Sequence, residues 1–251
     1  METINVDSRP QVVEKTTYQP MGKIEEFIVP LLKQHIERFL STDAKPIRYN
    51  QRALDIGCGG QPFRKELEDL GYIYISTDVT QNPEGSVDIL SEIDKPISNE
   101  LLGSGPFDLI FCTEVMEHVV NWDTAFSNFS QLLNVEGKIF ITCPHFYPLH
   151  EVPYDFWRPT THALQHFARQ HGLTVLQQEN AGDAWDIIGT VLAYVYSVPL
   201  SRSIRDRLLN KIVSIAINFL FKLLRDRTIQ KYIRLESSLY MSNIFLCQKQ
   251  S

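Results

Sequence analysis

Two acids and two glycines in the first third of the chain have the types and spacing of a site for a nucleoside ligand. Asp55, Gly57 and Gly59 lie in the stretch RALDIGCGGQP, and Asp78 follows 19 residues after Gly59. Glycines let a ligand approach backbone N–H groups, where a Cβ would collide. An acid at this distance can accept hydrogen bonds from ribose hydroxyls. The pattern therefore predicts a ligand that contains a ribose.

Two details of this glycine stretch favour a cationic ligand over a dinucleotide. A dinucleotide motif, Gly-x-Gly-x-x-Gly, would have its third glycine where Pro62 stands. Asp55 lies inside the preceding apolar run, where a negative charge disfavours pyrophosphate and favours a positive centre. S-adenosyl-L-methionine combines ribose, adenine and a sulfonium cation, so the stretch predicts this cofactor.

A second group of reactive side chains lies in residues 144–159, PHFYPLHEVPYDFWRP. Long loops inside a domain are often functional, and this one holds two histidines, two acids, an arginine and five aromatics. A hydroxyl acceptor benefits from a base at hydrogen-bond distance. We expect His145, directly after a strand, to be that base slightly in preference to His150, with Asp155 as a third catalytic candidate. Asp155 could instead pair with Arg158 and fix the loop.

The hydrophobic pattern puts both groups at the ends of strands in an α/β fold. Apolar runs alternate with helical patterns, which predicts a doubly wound, mostly parallel sheet with helices on both faces and a helical insertion before the last strand. Ligands bind such sheets beyond the carboxyl ends of the strands. Pro30 is expected to kink or interrupt the first helix. The predicted strands are 53–56, 72–78, 86–89, 107–113, 138–143, 173–178 and 243–248, and the predicted core helices are 22–40, 62–70, 121–133 and 160–172.

With its motifs in this order, the chain resembles the class I S-adenosylmethionine-dependent methyltransferases over residues 50–180. LDIGCGG at 54–60 is similar to their first motif, and Asp78 is similar to the acid after strand 2. Asp88-Ile89 resembles the pair that meets the adenine. FDLI and EVMEH, at 107–118, are similar to the motif beneath the methionine portion. The resemblance implies a seven-stranded sheet with one antiparallel strand, the last.

The loop at 144–159 is also similar to a loop of methyltransferases from bacterial polysaccharide and sugar-nucleotide pathways. Its aromatic faces suit sugar rings, so the resemblance implies acceptor binding there. The residues expected to bind the acceptor are Tyr18, Phe146, Tyr147, Tyr154, Trp157 and Arg158. The residues expected to bind the cofactor are Asp55, Gly57, Cys58, Gly59, Asp78, Val79, Asp88, Ile89, Thr113, Glu114 and His118.

Charge and composition exclude some other classes. The net charge is −6, but residues 201–235 carry nine Lys/Arg against two Asp, which leaves −13 on the remainder. An acidic body disfavours general nucleic-acid binding. Four widely spaced cysteines and a polar N-terminus without a secretory signal suit the cytoplasm. No metal is expected, because His118, His145 and His150 lack the compact spacing of metal ligands.

The sequence predicts an N-terminal arm and helix at 1–45 and a core made of residues 46–183 and 240–251. Residues 184–239 form a helical insertion between the two parts of this core. Its part 185–224 is apolar around more than half of a helix, with basic residues along a narrow line. Three interpretations remain open: a lid over the acceptor pocket, a homodimer contact, or a peripheral membrane contact.

The sequence thus predicts an S-adenosylmethionine-dependent O-methyltransferase that acts on a hydroxyl of a sugar, a glycan or another small acceptor. One alternative is N- or C-methylation of a small metabolite. Another is a non-catalytic module of the same fold that binds the cofactor or a partner.

Overall fold

The computed structural model describes residues 16–195, 203–226, 232, 233, 235 and 238–250. The predicted arm before residue 16 and parts of the predicted insertion lie outside the described residues. Within the described part, strands and helices alternate from Arg52 onwards. The strands are β1 Arg52–Ile56, β2 Ile73–Asp78, β3 Ile89–Leu90, β4 Phe107–Thr113, β5 Leu133–Pro144, β6 Leu173–Ala181 and β7 Ser242–Lys249. The helices are α1 Glu25–Thr42, α2 Arg64–Asp69, α3 Asn99–Ser104, α4 Trp122–Leu132, α5 Thr161–Gln170, α6 Ala184–Tyr194 and α7 Ile204–Arg225, with a 3₁₀ turn over Met116–His118.

The strands form one seven-stranded sheet in the order β3-β2-β1-β4-β5-β7-β6. Strands β1 to β5 pair in parallel, and β7 runs antiparallel between β5 and β6. The predicted fold class, including the antiparallel last strand, is confirmed. The strand order reverses direction between β1 and β4, which is where a doubly wound sheet opens a crevice at its carboxyl edge.

Each face of the sheet carries its own hydrophobic core, because successive strand residues point to opposite sides. Leu54 and Ile56 of β1 pack with α3, α4 and α5 on one face. Ala53 of the same strand packs with α1, α2 and α6 on the other face. The sheet is therefore buried on both sides, which matches the nearly continuous apolar runs of its central strands.

The structure corrects four details of the sequence prediction. Strand β3 is shorter and lies later than 86–89, at Ile89–Leu90. Strand β5 begins at Leu133, so it includes the 134–137 segment that reads as a turn, and its pairing with β4 is irregular there. Helix α1 runs through Pro30 without interruption. Helix α3 was not predicted, because its six residues, NELLGS, are too few to show a helical pattern and include a glycine.

Helices α6 and α7 pack on α1 through a small third core. Phe27 of α1 meets Phe221 of α7 edge to face, with ring centroids 5.5 Å apart. A Cβ at Gly189 of α6 would lie 2.3 Å from the Phe27 ring, so only glycine allows α6 this close to α1. The described helices of the insertion therefore rest on the helix that also covers the site below.

Candidate functional site

A cavity of about 760 Å³ opens at the carboxyl ends of β1, β2 and β4, in the crevice that the strand order creates. One wall comes from α1 and the segment before it, where Glu25, Ile28 and Val29 face the cavity. The opposite wall comes from the loop after β5. The predicted site residues that line the cavity are Tyr18, Asp55, Gly57, Cys58, Gly59, Asp78, Val79, Thr113, Glu114, His118, Tyr147, His150 and Tyr154.

At one end of the cavity, the Asp78 carboxylate is fixed at the end of β2. The Gly59 N–H donates to its Oδ2 at 2.9 Å, and the Val79 N–H donates to its Oδ1 at 2.6 Å. Each carboxylate oxygen has more than one acceptor site, so both oxygens can still accept a hydroxyl from a ligand. The carboxylate is therefore held in one orientation at the cavity wall, with acceptor sites left for a hydroxyl donor.

The two glycines of the first loop differ in what surrounds them. Both have left-handed backbones, with φ of +64° at Gly57 and +48° at Gly59. A Cβ at Gly57 would lie 2.4 Å from Val115 Cγ2, so this glycine lets β1 approach the segment after β4. At Gly59 no atom lies within 4 Å of a Cβ position, and this residue lines the cavity. A side chain there would occupy the space beside Asp78, so the residues fit a cofactor that lies against the backbone.

Asp55 lies beneath the same loop and is almost fully buried. Its Oδ2 accepts a hydrogen bond from the Tyr74 hydroxyl at 2.7 Å. Burial raises the pKa of Asp55 to about 7, and the nearby Asp78 charge adds to this effect. A carboxyl in this state gains from a positive ligand, which fits a sulfonium cofactor.

The structure corrects the predicted adenine contacts. The Asp88 carboxylate lies outside the cavity lining, because it accepts hydrogen bonds from the Ser76 N–H at 2.9 Å and the Ser76 hydroxyl at 2.6 Å. Ile89 is buried in the core beneath the sheet. Residues 91–94, directly after β3, line the cavity instead. In the sequence this segment is the SEID stretch, which begins two residues after the predicted pair.

At the other end of the cavity, Glu117, His118 and His150 come together. Glu117 is fully buried in the 3₁₀ turn after β4, and its Oε1 has no hydrogen-bond partner. Nε2 of His118 and Nε2 of His150 each lie 3.8 Å from this oxygen. Burial, followed by the Glu114 charge, raises the pKa of Glu117 well above its usual range. Sequence reasoning assigned His118 to the cofactor and did not single out Glu117 as a site residue.

Two further features lie near the cluster of Glu117, His118 and His150: a strained backbone at Glu114 and the buried hydroxyl of Tyr18. Glu114, the first residue after β4, has φ of +53°, a conformation that is uncommon outside glycine and that tends to occur at functional sites. Tyr18 packs on Phe63 with ring centroids 4.8 Å apart. Burial, with the Glu114 charge next, raises the pKa of Tyr18 well above its usual value. Tyr18 therefore faces the cavity as a neutral hydroxyl.

The loop after β5 is held by an ion pair, which corrects the predicted role of Asp155. Arg158 donates to Asp155 Oδ1 at 2.6 Å and to Oδ2 at 2.7 Å, and also to the carbonyl oxygens of Tyr147 and Pro148. Asp155 further accepts the His150 N–H at 3.0 Å. Neither member of the pair lines the cavity. They fix the loop and hold the His150 backbone, which is the structural role that the sequence analysis kept as the alternative for this pair.

His145, the preferred base in the sequence prediction, lies outside the cavity lining. Its Nδ1 lies 3.0 Å from the Pro159 carbonyl oxygen, and its ring stacks on Tyr240 with centroids 4.2 Å apart. Phe146 packs against the core on the α1 side of the sheet. The Trp157 indole N–H donates to the Val119 carbonyl at 2.9 Å. These three residues make their contacts within the protein and lie outside the cavity lining, away from where the predicted roles in catalysis and acceptor binding would place them.

A family model described as "Methyltransferase domain" matches residues 24–180. Among curated proteins, the mitochondrial ubiquinone biosynthesis O-methyltransferase of Bos taurus is 29% identical over 143 residues, which cover 51% of this chain and 38% of that protein. The ubiquinone biosynthesis O-methyltransferase of Colwellia psychrerythraea is 27% identical over 135 residues, covering 50% of this chain and 55% of that protein. The chain thus spans only about half or less of these relatives' lengths.

Among solved structures, a SAM-dependent methyltransferase from Archaeoglobus fulgidus superposes with a TM-score of 0.52. The match covers 88% of this chain and 94% of that one, at 18% sequence identity. At this identity the likeness concerns the fold alone.

Proposed function

The chain belongs to the methyltransferase domain family, and from this premise we propose that it transfers a methyl group from S-adenosylmethionine to a hydroxyl of a sugar, a glycan or another small acceptor. The observation that carries the proposal is the two-ended cavity. One end holds Asp78 against the glycine loop, and the other holds His150 beside Glu117. A methyl donor at the first end and a hydroxyl at the second would meet inside one enclosed space.

The bound cofactor would supply a methyl group on an electron-poor sulfonium carbon. Asp78 would accept the ribose hydroxyls, and Asp55 would offset the positive charge. At the acceptor end, His150 Nε2 lies 3.8 Å from Oε1 of Glu117, an oxygen without a hydrogen-bond partner among the described residues. This arrangement suits loss of the proton from a hydroxyl, which is a poor nucleophile until it is ionised.

An oxygen acceptor is supported by the names of the curated relatives, both O-methyltransferases. The walls of the acceptor end carry the aromatic rings of Tyr18, Tyr147 and Tyr154. Such rings pack well against the apolar C–H face of a sugar and equally against a flat phenolic ring. We therefore keep sugars and glycans as the first acceptor class and treat other small hydroxyl compounds as the second.

Calorimetry followed by a labelled-methyl assay tests this proposal. We expect S-adenosylmethionine to bind with one site per chain, and label to accumulate in hydroxyl acceptors such as sugar nucleotides, oligosaccharides and catechols. Label only in amines or at carbon would support the N- or C-methylation alternative. Cofactor binding without transfer to any acceptor would support the non-catalytic module. An absence of cofactor binding would refute both enzyme hypotheses.

We further propose that the insertion contacts an anionic membrane surface through α7. The less exposed residues of α7 recur every three or four positions, so they lie on the face that turns towards the body. In the first half of the helix these residues are polar, Asp206, Asn210 and Ser214, and towards its end they are apolar, including Phe221 and Leu224. The opposite face is apolar and exposed, with Ile204 85% and Phe219 65% accessible. The helix therefore presents its apolar side outwards, the reverse of an ordinary surface helix.

The charge of α7 supports the membrane contact over the other two interpretations. Its apolar side consists of Ile204, Leu208, Leu209, Ile212, Val213, Ile215, Phe219 and Leu220. Exposed Arg207, Lys211, Lys222 and Arg225 lie along one edge of that side, on a chain of net charge −6. Apolar insertion flanked by basic side chains is the arrangement of an interfacial helix on anionic lipid. None of the described helices has the length and apolar character needed to cross a bilayer.

Vesicle sedimentation tests the membrane contact. We expect the chain to sediment with phosphatidylglycerol vesicles and not with phosphatidylcholine vesicles. The substitutions Leu208→Asp and Phe219→Asp should abolish sedimentation. The control is Leu176→Asp, which changes an apolar residue on β6 that is 47% exposed, against 60% for Leu208 and 65% for Phe219. Light scattering that shows a dimer, with no vesicle binding, would instead support the homodimer contact and overturn the membrane proposal.

A further inference from the structure

Three hydrogen-bond acceptors point at one another at the acceptor end of the cavity. They are Oε1 of Glu117, Nε2 of His118 and Nε2 of His150, and all three lie within 4.8 Å of one another. The Glu117 oxygen has no hydrogen-bond partner, although its side chain is only 1% exposed. A buried carboxylate oxygen without a partner is costly, so this convergence requires an explanation.

The other nitrogen of each imidazole shows that its Nε2 carries a lone pair. His118 Nδ1 lies 2.7 Å from the Tyr154 carbonyl oxygen, which can only accept, so this nitrogen carries the proton. His150 Nδ1 lies 3.3 Å from the Pro148 carbonyl oxygen, 3.3 Å from Asp155 Oδ2 and 3.4 Å from Arg158 Nη2. The two protons of Arg158 Nη2 make shorter bonds to Asp155 Oδ2 and the Pro148 carbonyl oxygen, at 2.7 and 3.1 Å, so the two oxygens favour the proton on His150 Nδ1. A histidine that donates through one nitrogen to an oxygen is ready to bind a cation through the other.

A proton alone does not join these three atoms. Each Nε2 is 3.8 Å from Glu117 Oε1, beyond hydrogen-bond distance. A cation between the three atoms would satisfy all of them at once.

We propose that Glu117, His118 and His150 bind a divalent transition-metal ion such as Zn²⁺, with its open coordination positions directed into the cavity. Two imidazoles and one carboxylate are a known ligand set for catalytic zinc, with metal–ligand distances of about 2.0–2.2 Å. Atoms within 4.8 Å of one another reach such distances after a small inward shift. Spacing in the sequence does not reveal the set, since His150 lies 32 residues beyond His118.

This site deepens the proposed function, and its role in methyl transfer rests on that function. An acceptor hydroxyl that binds the open position would have a lower pKa and lose its proton to solvent. Its oxygen would then form a bond to the methyl carbon, while the carbon–sulfur bond breaks and its electron pair stays on sulfur. The metal ion keeps its charge throughout, so no oxidant or reductant is needed.

Metal titration of the full chain tests the site. The protein is stripped with a chelator and titrated with Zn²⁺ in competition with a chromophoric chelator, and with Co²⁺ followed by visible absorption. We expect one tight site per chain and the absorption of Co²⁺ with nitrogen ligands. Glu117→Gln and His150→Ala should each weaken Zn²⁺ binding at least tenfold. The exposed His162 provides the matched control, His162→Ala, which should bind Zn²⁺ as the wild type does.

Three outcomes separate this inference from the proposed function. Equal Zn²⁺ affinity in the wild type and both cluster variants, each folded by circular dichroism, would overturn the site. Undiminished methyl transfer by the stripped protein in excess chelator would overturn its role in the reaction. A tight Zn²⁺ site lost in Glu117→Gln, together with no methyl transfer to any acceptor, would support the site and count only against the proposed function.

Discussion

The two ends of the cavity are built in opposite ways. At the glycine-loop end, Asp55, Gly57, Gly59 and Asp78 come from two adjacent parallel strands and the turns that follow them. At the acceptor end, Glu117 and His118 come from the turn after β4, and His150 comes from a loop far along the chain. The first end is fixed by backbone hydrogen bonds, and the second by the side-chain pair of Asp155 and Arg158.

This difference suggests that one end of the cavity binds the cofactor and the other carries out the reaction on the acceptor. Backbone N–H groups and a fixed carboxylate can hold a cofactor whose shape does not vary between substrates. A loop held by side chains can change its contents while the sheet stays the same. We therefore expect changes at the glycine-loop end to alter cofactor affinity, and changes at the acceptor end to alter turnover with cofactor affinity intact.

The largest expected effect is on turnover, from His150→Ala. Loss of a group that activates the acceptor typically costs about 10²–10⁴-fold in rate, so we expect kcat to fall by about 10³-fold. The dissociation constant of the cofactor, measured by calorimetry, should stay within about twofold, because changes at separate sites act independently. A parallel loss of cofactor affinity would show that the two ends are not separable.

His145→Ala is the matched control, because it removes a histidine five residues earlier that does not line the cavity. The ring stacks on Tyr240, so its loss should reduce the free energy of unfolding by about 1 kcal/mol. We expect kcat to change by less than about threefold. If His145→Ala reduced kcat as strongly as His150→Ala, the original choice of His145 as the base would be restored.

Asp78→Ala should give the second largest effect, on cofactor affinity. Two hydrogen bonds to a charged acceptor are worth about 1.5 kcal/mol each, which predicts a dissociation constant about 10²-fold weaker. Asp69→Ala removes an exposed carboxylate that pairs with Lys65 on α2, and it should leave affinity unchanged. An unaltered affinity in Asp78→Ala would refute the ribose role.

The sequence alone was sufficient to identify the residues that line the glycine-loop end of the cavity, because they lie close together along the chain. Strand, glycine turn and following acid are adjacent along the chain, and β1 pairs with β2 in the register this implies. The Asp88 assignment failed because β3 has only two residues and begins later than its pattern suggested. In so short a strand, hydrophobic periodicity cannot fix the position of the edge.

The acceptor end could be located from the sequence but not resolved. Loop composition pointed to residues 144–159, and adjacency to a strand favoured His145. The loop instead turns His145 towards Tyr240 and brings His150 to Glu117. The ion pair of Asp155 with Arg158 is local and was one of the alternatives read from the sequence, but the sequence does not show which histidine the paired loop turns towards the cavity. Glu117 itself looked like one more acid near the start of a helix.

The two glycines of the first loop should differ in role, Gly57 in stability and Gly59 in cofactor binding. We expect both to affect cofactor affinity less than Asp78→Ala does. Gly57→Ala combines a left-handed backbone with a 2.4 Å approach to Val115 Cγ2, so we expect it to lower the free energy of unfolding by about 2–4 kcal/mol. Gly59→Ala meets no atom within 4 Å and should cost about 1 kcal/mol of stability. Urea titration measures both values.

Val115→Ala in the Gly57→Ala background serves as the control for the clash. Removing the Val115 methyl groups should restore part of the lost stability, whereas the same change should not help Gly59→Ala. Gly59→Ala should instead weaken cofactor binding by about tenfold, since its Cβ would enter the cavity. Equal stability losses in the two alanine variants would mean that the left-handed backbone, and not the contact with Val115, explains why position 57 requires glycine.

The smallest expected effect is a pH dependence of cofactor affinity that originates at Asp55. Its pKa is about 7 in the free protein, so the carboxyl is mostly protonated at pH 6 and mostly ionised at pH 8. A cationic cofactor favours the ionised form, so affinity should rise about tenfold from pH 6 to pH 8 and level off above that. Asp55→Asn keeps an acceptor for the Tyr74 hydroxyl but cannot ionise. Calorimetry on this variant should therefore give a flat profile at the weaker affinity, and a persistent pH step would assign the effect to another group.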